Sequence, residues 1–311
     1  MAGISIGVLK KSEVEEAEGI FRVAFAKFLG IPDPMMFVGD RRFIVPRFHA
    51  TNVKVIAARE DGRLIGVNAV TRWGSFGFFG PLAVLPEYWN KGVAQRLLAA
   101  TMKVFEGWGV RHTGLFTFSS SAKHVGLYQK FGYWPGYLTA IMTFAPVGVE
   151  GKDGEGFGVL SGLRKKEREK AIEDCAKLTG GIEKGLDLTG EMRSVLAQGV
   201  GDVVLTYRRR GLDGFAVCMN GVGSEGGEKV CYVKFGAARS GEGFDRLLEG
   251  CEGFAASRGT SLEVGVNLAR EDAARRMRAR GYKVSTLGVA MQRPHAEGFN
   301  RGDVYVVDDW R

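Results

Sequence analysis

The sequence predicts an α+β protein built as two copies of one fold. Three observations predict it. Hydrophobic periodicity switches between helix and strand in an order that is not a regular βαβ alternation, the same order recurs in the second half, and a glycine-rich charged segment, 148–158, lies between. With 311 residues and 45% hydrophobic content, the chain can bury two ordinary cores, so the expected units are 1–147 and 159–311 with 148–158 as linker.

Each element follows from local pattern. Ser12 and Glu15 have capping-box spacing, and Ile20, Phe21, Ala24, Phe25 and Phe28 continue at helical spacing, which predicts a helix over 12–28. Residues 30–50 carry Pro32, Pro34 and Pro46 and are expected to form a loop or short helix overhanging a pocket. The run 53–70 reads as two strands around the turn pair Asp61-Gly62, and 76–85 as a third. A helix over 92–108, a strand over 112–118, a helix containing HVGLYQKFGY and a strand over 137–144 that closes the unit complete the first copy. Shifted by 150 positions, Arg96-Leu97-Leu98 falls on Arg246-Leu247-Leu248; Gly132-Tyr133 falls on Gly281-Tyr282 after one deletion. Upstream, GDVVLTYRRRGLDGFAVCM mirrors the hairpin, with the helical run LRKKEREKAIEDCAKL before it.

Composition narrows the class. The longest apolar stretch, 76–85, is broken by glycine and proline and is about half the length a bilayer crossing requires, so no membrane partner is expected. The start of the chain lacks a charged-then-apolar layout, and the cytoplasm is the expected address. Cys175, Cys218, Cys231 and Cys251 show no close pair that would suggest zinc or redox spacing, and are expected to be reduced, buried thiols; no metal is expected. The formal charge of +8 is uneven, with 17 basic and 11 acidic residues through Glu150 and 26 and 24 after it. A field of that sign attracts nucleic acid, acidic membrane or a polyphosphate alike. The Arg208-Arg209-Arg210 run has no aromatic-basic stripe around it, so it is expected to be a solvated face and no nucleic-acid partner is expected.

The informative segment is GPLAVLPEYWNKGVAQRLL: a strand, a tight turn, and a helix starting at Gly92. The first-turn amides of such a helix point outward with partial positive charge, and glycine lets an anion approach the backbone. Gly92, Val93, Ala94 and Gln95 would supply those amides, and Lys91 a formal charge. Here the sequence resembles the GNAT superfamily of acyl-coenzyme A dependent N-acyltransferases, whose signature is Arg or Gln, two residues, Gly, one residue, then Gly or Ala. Gly92 and Ala94 match; Trp89 stands in the first position and departs from the pattern. A second family segment appears as Leu127-Tyr128 followed by Gly132-Tyr133. The resemblance covers 8–144 well and the second half as a shape. The closing DVYVVDDWR also resembles the end of a bacterial group of two-domain GNAT proteins.

The resemblance implies tandem GNAT folds, each with a mixed, mostly antiparallel central sheet flanked by helices and a cofactor cleft where the fourth and fifth strands splay. It implies acetyl-CoA as cosubstrate, its pantetheine arm against Leu82, Ala83 and Val84, its diphosphate at Trp89, Asn90, Lys91, Gly92, Val93, Ala94 and Gln95, and further contacts from Ser121 and Lys123. The Val84 amide would stabilise the oxyanion and Tyr128 would be the general acid. The general base stays open: 73–82, where relatives place a glutamate, has no carboxylate, and His124, His112, Glu87 and Ser119 to Ser121 are the nearby polar groups. The acceptor is expected to be a small-molecule or peptide amine, and Phe28, Phe37, Phe43, Phe48, Trp73 and Trp134 are candidates to line its cleft.

In the second half the same offset lays Glu242 on Gly92, Phe244 on Ala94 and Arg239 on Trp89, while Met277 replaces Tyr128. A carboxylate facing a diphosphate is electrostatically wrong, so this copy is expected to have lost the cofactor and to buttress the first, shape its acceptor pocket or mediate homodimerisation. The alternative for the whole chain is an inactive acyl-CoA-binding or interaction protein.

Overall fold

The computed structural model describes residues 3–146, 157–208 and 211–311. Residues 148–156 of the expected linker, and Arg209 and Arg210 of the arginine run, lie outside the described residues; Phe157 and Gly158 already belong to a strand. The first half contains β1 (Ile4–Val8), α1 (Val14–Leu29), α2 (Ile44–His49), β2 (Val53–Glu60), β3 (Arg63–Trp73), β4 (Phe76–Val84), α3 (Val93–Trp108), β5 (His112–Thr117), α4 (Ala122–Gln129) and β6 (Trp134–Phe144). The second repeats that order as β7 (Phe157–Val159), α5 (Lys165–Ile182), α6 (Thr189–Gln198), β8 (Gly201–Arg208), β9 (Gly211–Gly221), β10 (Gly227–Ala238), α7 (Gly241–Ser257), β11 (Ser261–Asn267), α8 (Glu271–Ala279) and β12 (Lys283–Arg293), then adds β13 (Tyr305–Asp308).

All thirteen strands belong to one sheet, ordered β1-β2-β3-β4-β5-β12-β6-β11-β10-β9-β8-β7, with β13 on β10. The ladders are antiparallel except β4 with β5 and β10 with β11. The expectation that 137–144 closes the first unit is corrected here. β12 lies between β5 and β6, while β6 pairs on its other edge with β11, so each half receives a strand from the other. The physical reason is edge pairing: β5 and β11 each have a partner on one side only within their own half, and the exchanged strands supply the missing ladder. The large core is shared too, with Trp73, Phe76 and Phe78 packing with Phe215, Phe235 and Trp310.

Local chemistry sets the elements around the cleft. Asp61 (φ 50°) and Gly62 (φ 85°) make the left-handed pair that turns β2 into β3. The helix at the start of the chain is entered not through a Ser12–Glu15 box but through Glu13, whose carboxylate accepts from the Lys10 amide at 2.8 Å, while Glu15 pairs with Arg42. Buried Glu18 reaches from α1 to accept from the amides of Phe43, Ile44 and Val45, capping α2 from outside. Arg22 donates to the carbonyls of Phe37 (2.8 Å) and Arg41 (2.6 Å), fixing the loop above the cleft. β1 had no sequence expectation; its five residues are too few to show a period.

Candidate active site

β4 and β5 pair only from Phe76↔His112 to Phe78↔Gly114, then separate. Beyond that point the facing edges are open. Leu85 donates its amide to Ile65 on β3 at 3.0 Å, and backbone groups alternate sides along a strand, so the Val84 N–H and C=O face the opened side. The open edge leads into a cavity of about 870 Å³ lined by residues from α1, the 37–43 loop, β4, the turn before α3, β5, α4 and the end of the chain.

At one end of the cavity stands the turn. Asn90 (φ 64°) and Gly92 (φ 77°) take left-handed backbone, and a side chain at Gly92 would meet nothing within 4 Å, so the first amides of α3 open onto free space. Trp89, the departure from the family signature, has a definite role: its indole N–H donates to the Val84 carbonyl at 2.7 Å, tying the turn to the splayed strand, and the Lys123 ammonium lies 5.6 Å over its ring. An Arg or Gln at that position would have added a donor toward a diphosphate; Trp89 with Lys123 places a cation beside it instead.

Leu82, Val84, Trp89, Asn90, Gly92, Val93, Ala94, Gln95, Lys123 and Tyr128 all line this one cavity. Three expected residues do not. Ala83 is buried on the opposite face of β4 among α1 residues, because side chains alternate along a strand; Lys91 stacks on Tyr88 with its ammonium 4.9 Å from the ring centroid; Ser121 sits at the start of α4 with no side-chain capping bond. Tyr128 packs on Phe79 with ring centroids 5.7 Å apart. Burial pushes its phenol well above the usual range, with Thr117 pulling weakly the other way.

Of the open proton acceptors, His124 reaches the cavity, its ring tilted against Phe28 with centroids 4.8 Å apart, and burial, then the Lys123 charge, lowers its pKa. His112 packs against Phe76 outside the cavity, and Glu87 pairs with Arg63 on the surface. Phe28, Phe37 and Phe43 line the cavity as expected; Phe48, Trp73 and Trp134 do not, Trp73 being a core residue whose indole donates to Glu191 at 3.0 Å. Sequence reasoning missed Phe21, Phe25, Phe79, Trp310 and Arg311. The α1 phenylalanines read as ordinary core at helical spacing. The end of the chain was visible as a motif, but nothing in it signals a destination in the other half.

Residues 25–133 match the acetyltransferase (GNAT) family. The chain carries a GNAT acyltransferase domain. A Pyrococcus horikoshii protein proposed to be an acetyltransferase shares the fold of the whole molecule, with a TM-score of 0.68 at 15% identity over 99% of this chain and 95% of that one. A GCN5-related N-acetyltransferase from Sphaerobacter thermophilus aligns with a TM-score of 0.59 at 12% identity over 93% and 95%. No protein of curated function matches the sequence. At these identities the similar structures show the fold, and the family match carries the acyltransferase assignment of the first half.

The second half of the chain has a filled cleft. β10 pairs in parallel with β11 from Val230↔Ser261 to Val233↔Val264, then continues along β13 from Phe235↔Asp308 to Ala238↔Tyr305. Gly236–Ala238 stand as far beyond Val230 as Leu82–Val84 stand beyond Phe76, so β13 occupies the edge that is open in the first half. The helix start is also taken. The Ser240 hydroxyl accepts from the Gly243 amide at 3.1 Å, Arg276 lies against Gly241, Phe244 is fully buried, and Glu242 pairs with Arg208 at 2.6 Å. Beyond β13 the chain turns into the first half, where Arg47 donates to the main-chain oxygens of both Gly80 and Arg311.

Proposed function

We propose that the first-half cleft transfers an acetyl group from acetyl-CoA to a primary amine within a ternary complex. What supports this is the meeting, in one cavity, of an open β4 edge, the Gly92 helix start and the buried Tyr128 hydroxyl. The fit to the cosubstrate is chemical: an open strand edge suits the amides of a pantetheine arm, and unpaired helix amides with Lys123 suit a diphosphate. When bound, acetyl-CoA supplies an activated thioester and leaves as a thiol.

The Val84 N–H donates to the oxygen on which negative charge develops. Tyr128, protonated throughout the neutral range because burial raises its pKa, donates a proton to the departing sulfur. A lysine-like amine is neutral in only about one part in a thousand at pH 7, so a proton must leave before attack. His124 is the strongest neutral base among the side chains lining the cavity, and its lowered pKa keeps it neutral at that pH. The second half, its cleft occupied by β13, buttresses the first and binds no cofactor; the reading calls for no nucleic-acid or membrane partner and no metal, and places the protein in the cytoplasm. No helix among the described residues is long and apolar enough to cross a membrane.

The test is thiol release from acetyl-CoA in the presence of primary amines, with calorimetry of acetyl-CoA on the full chain beside it. One binding site per chain and amine-dependent thiol release are expected. Two sites, or binding without release for any amine, would remove the reading.

A further inference from the structure

The cavity has an aromatic wall outside the α3 turn, and its charge is one-sided. Phe21, Phe25 and Phe28 from α1, Phe37 and Phe43 from the overhanging loop, and Trp310 from the end of the chain form that wall. The charged side chains lining the whole cavity are Lys123, Lys130 and Arg311, all cationic, and no lining residue among those described is Asp or Glu. Arg311 is already matched, to Glu263 at 2.7 Å and Asp309 at 2.9 Å. An acceptor with several ammonium groups would therefore lose water without meeting an acidic side chain, which low-dielectric surroundings penalise. An uncharged apolar body would instead replace water on the aromatic walls.

The surface beside this wall is apolar as well. Phe28 and Leu29, at the end of α1, are 37% and 42% exposed, and the loop that follows exposes Met35 at 68% and Met36 at 73%. With the donor's diphosphate at the α3 turn and its arm along β4, as proposed above, this wall is left to the acceptor.

Resting on the acyltransferase reading of the same site, we propose that the acceptor is a primary amine carried on an uncharged apolar body, an alkyl or arylalkyl amine, and not a polyamine or other polycation. The experiment uses the full chain saturated with coenzyme A and measures binding of butylamine, hexylamine, octylamine, 2-phenylethylamine and spermidine by calorimetry; KM in acetyl transfer is measured for the same series. Affinity is expected to rise up to about fourfold per methylene from butylamine to octylamine, with 2-phenylethylamine bound and spermidine the weakest. Phe28→Glu, at the partly exposed rim, is expected to weaken octylamine at least tenfold while leaving acetyl-CoA binding unchanged. A flat alkyl series, spermidine binding as well as octylamine, or octanoyl-CoA binding much more tightly than acetyl-CoA without amine would overturn the proposal, the last by giving the aromatic wall to the donor. The two readings fail separately. Absent acetyl-CoA binding with a rising alkylamine series would sink the transferase and keep the apolar site, and bound acetyl-CoA with a flat series would do the reverse.

Discussion

Tyr128 and Ala94 test the site from its two ends. Tyr128 lies in packed aromatic surroundings with its hydroxyl beside Thr117, so Tyr128→Phe removes a proton donor and little volume. It is expected to lower kcat by about 10²- to 10⁴-fold with acetyl-CoA affinity unchanged, read by steady-state kinetics and calorimetry. An intact kcat would return the tyrosine to a packing role. Ala94→Asp sets a carboxylate in the first turn of α3, where it favours the helix dipole but repels a diphosphate. The fold should hold and the Kd for acetyl-CoA should rise by more than about tenfold, since 1.4 kcal/mol of repulsion already does that. These positions were legible in the sequence because glycine at a strand-to-helix turn and the Leu-Tyr with Gly-Tyr pair carry their own chemistry. Ala83, Lys91 and Ser121 do not line the cavity, because side-chain direction at the end of a strand or in a turn depends on what packs there.

At the scale of elements, the decisive object is β13. Its place on β10 depends on Gly265 of β11, where an added side chain would come 2.4 Å from the Asp309 Cβ. Gly265→Val is expected to push β13 off the open edge, measured as lost hydrogen-exchange protection at the Val306 and Val307 amides with β11 itself still protected. Protection unchanged from wild type would show that β13 does not need that close approach. Because Trp310 and Arg311 follow directly, the same change should raise KM for the amine more than KM for acetyl-CoA. The hairpin, α1 and α3 were readable from period and turn residues. That DVYVVDDWR is a strand filling a vestigial cleft was not, since four residues of β13 could have paired with any open edge.

For the whole molecule, strand exchange and buried charge make the two halves one object. Arg47 of the first half binds Glu225 of the second at 2.6 Å, and Glu225 also accepts from Lys234 at 2.6 Å, with both members of the cross-half pair fully buried. Burial alone would raise the Glu225 carboxyl, but Arg47 and Lys234 outweigh it and hold it at about 2; Glu263, between Arg311 and Arg41, is likewise held at about 2. Both folded values lie below the ordinary 4.5, so this stabilisation is present above pH 4.5 and is lost as pH falls through about 2. Acid unfolding monitored by circular dichroism should therefore steepen in that window. Glu225→Gln, which leaves Arg47 short of its counter-charge, is expected to cost about 3–5 kcal/mol in denaturant unfolding and to flatten the acid limb. Expressed alone, 1–147 should fail to fold, because β12 is missing between β5 and β6; a soluble, cooperative fragment would contradict the exchange.

Periodicity, turn chemistry and the spacing of Gly92, Ala94, Leu127 and Tyr128 were enough to indicate an α+β duplication with one open helix-start turn, because each is a local property of a few consecutive residues. The pairing of β12 with β5, the filling of the second cleft by β13 and the aromatic cavity wall without Asp or Glu came only with the folded chain. The strand pairings join residues far apart in sequence whose local patterns fit several partners equally well, and the choice among those partners is made by burial of open edges and charges across the whole sheet.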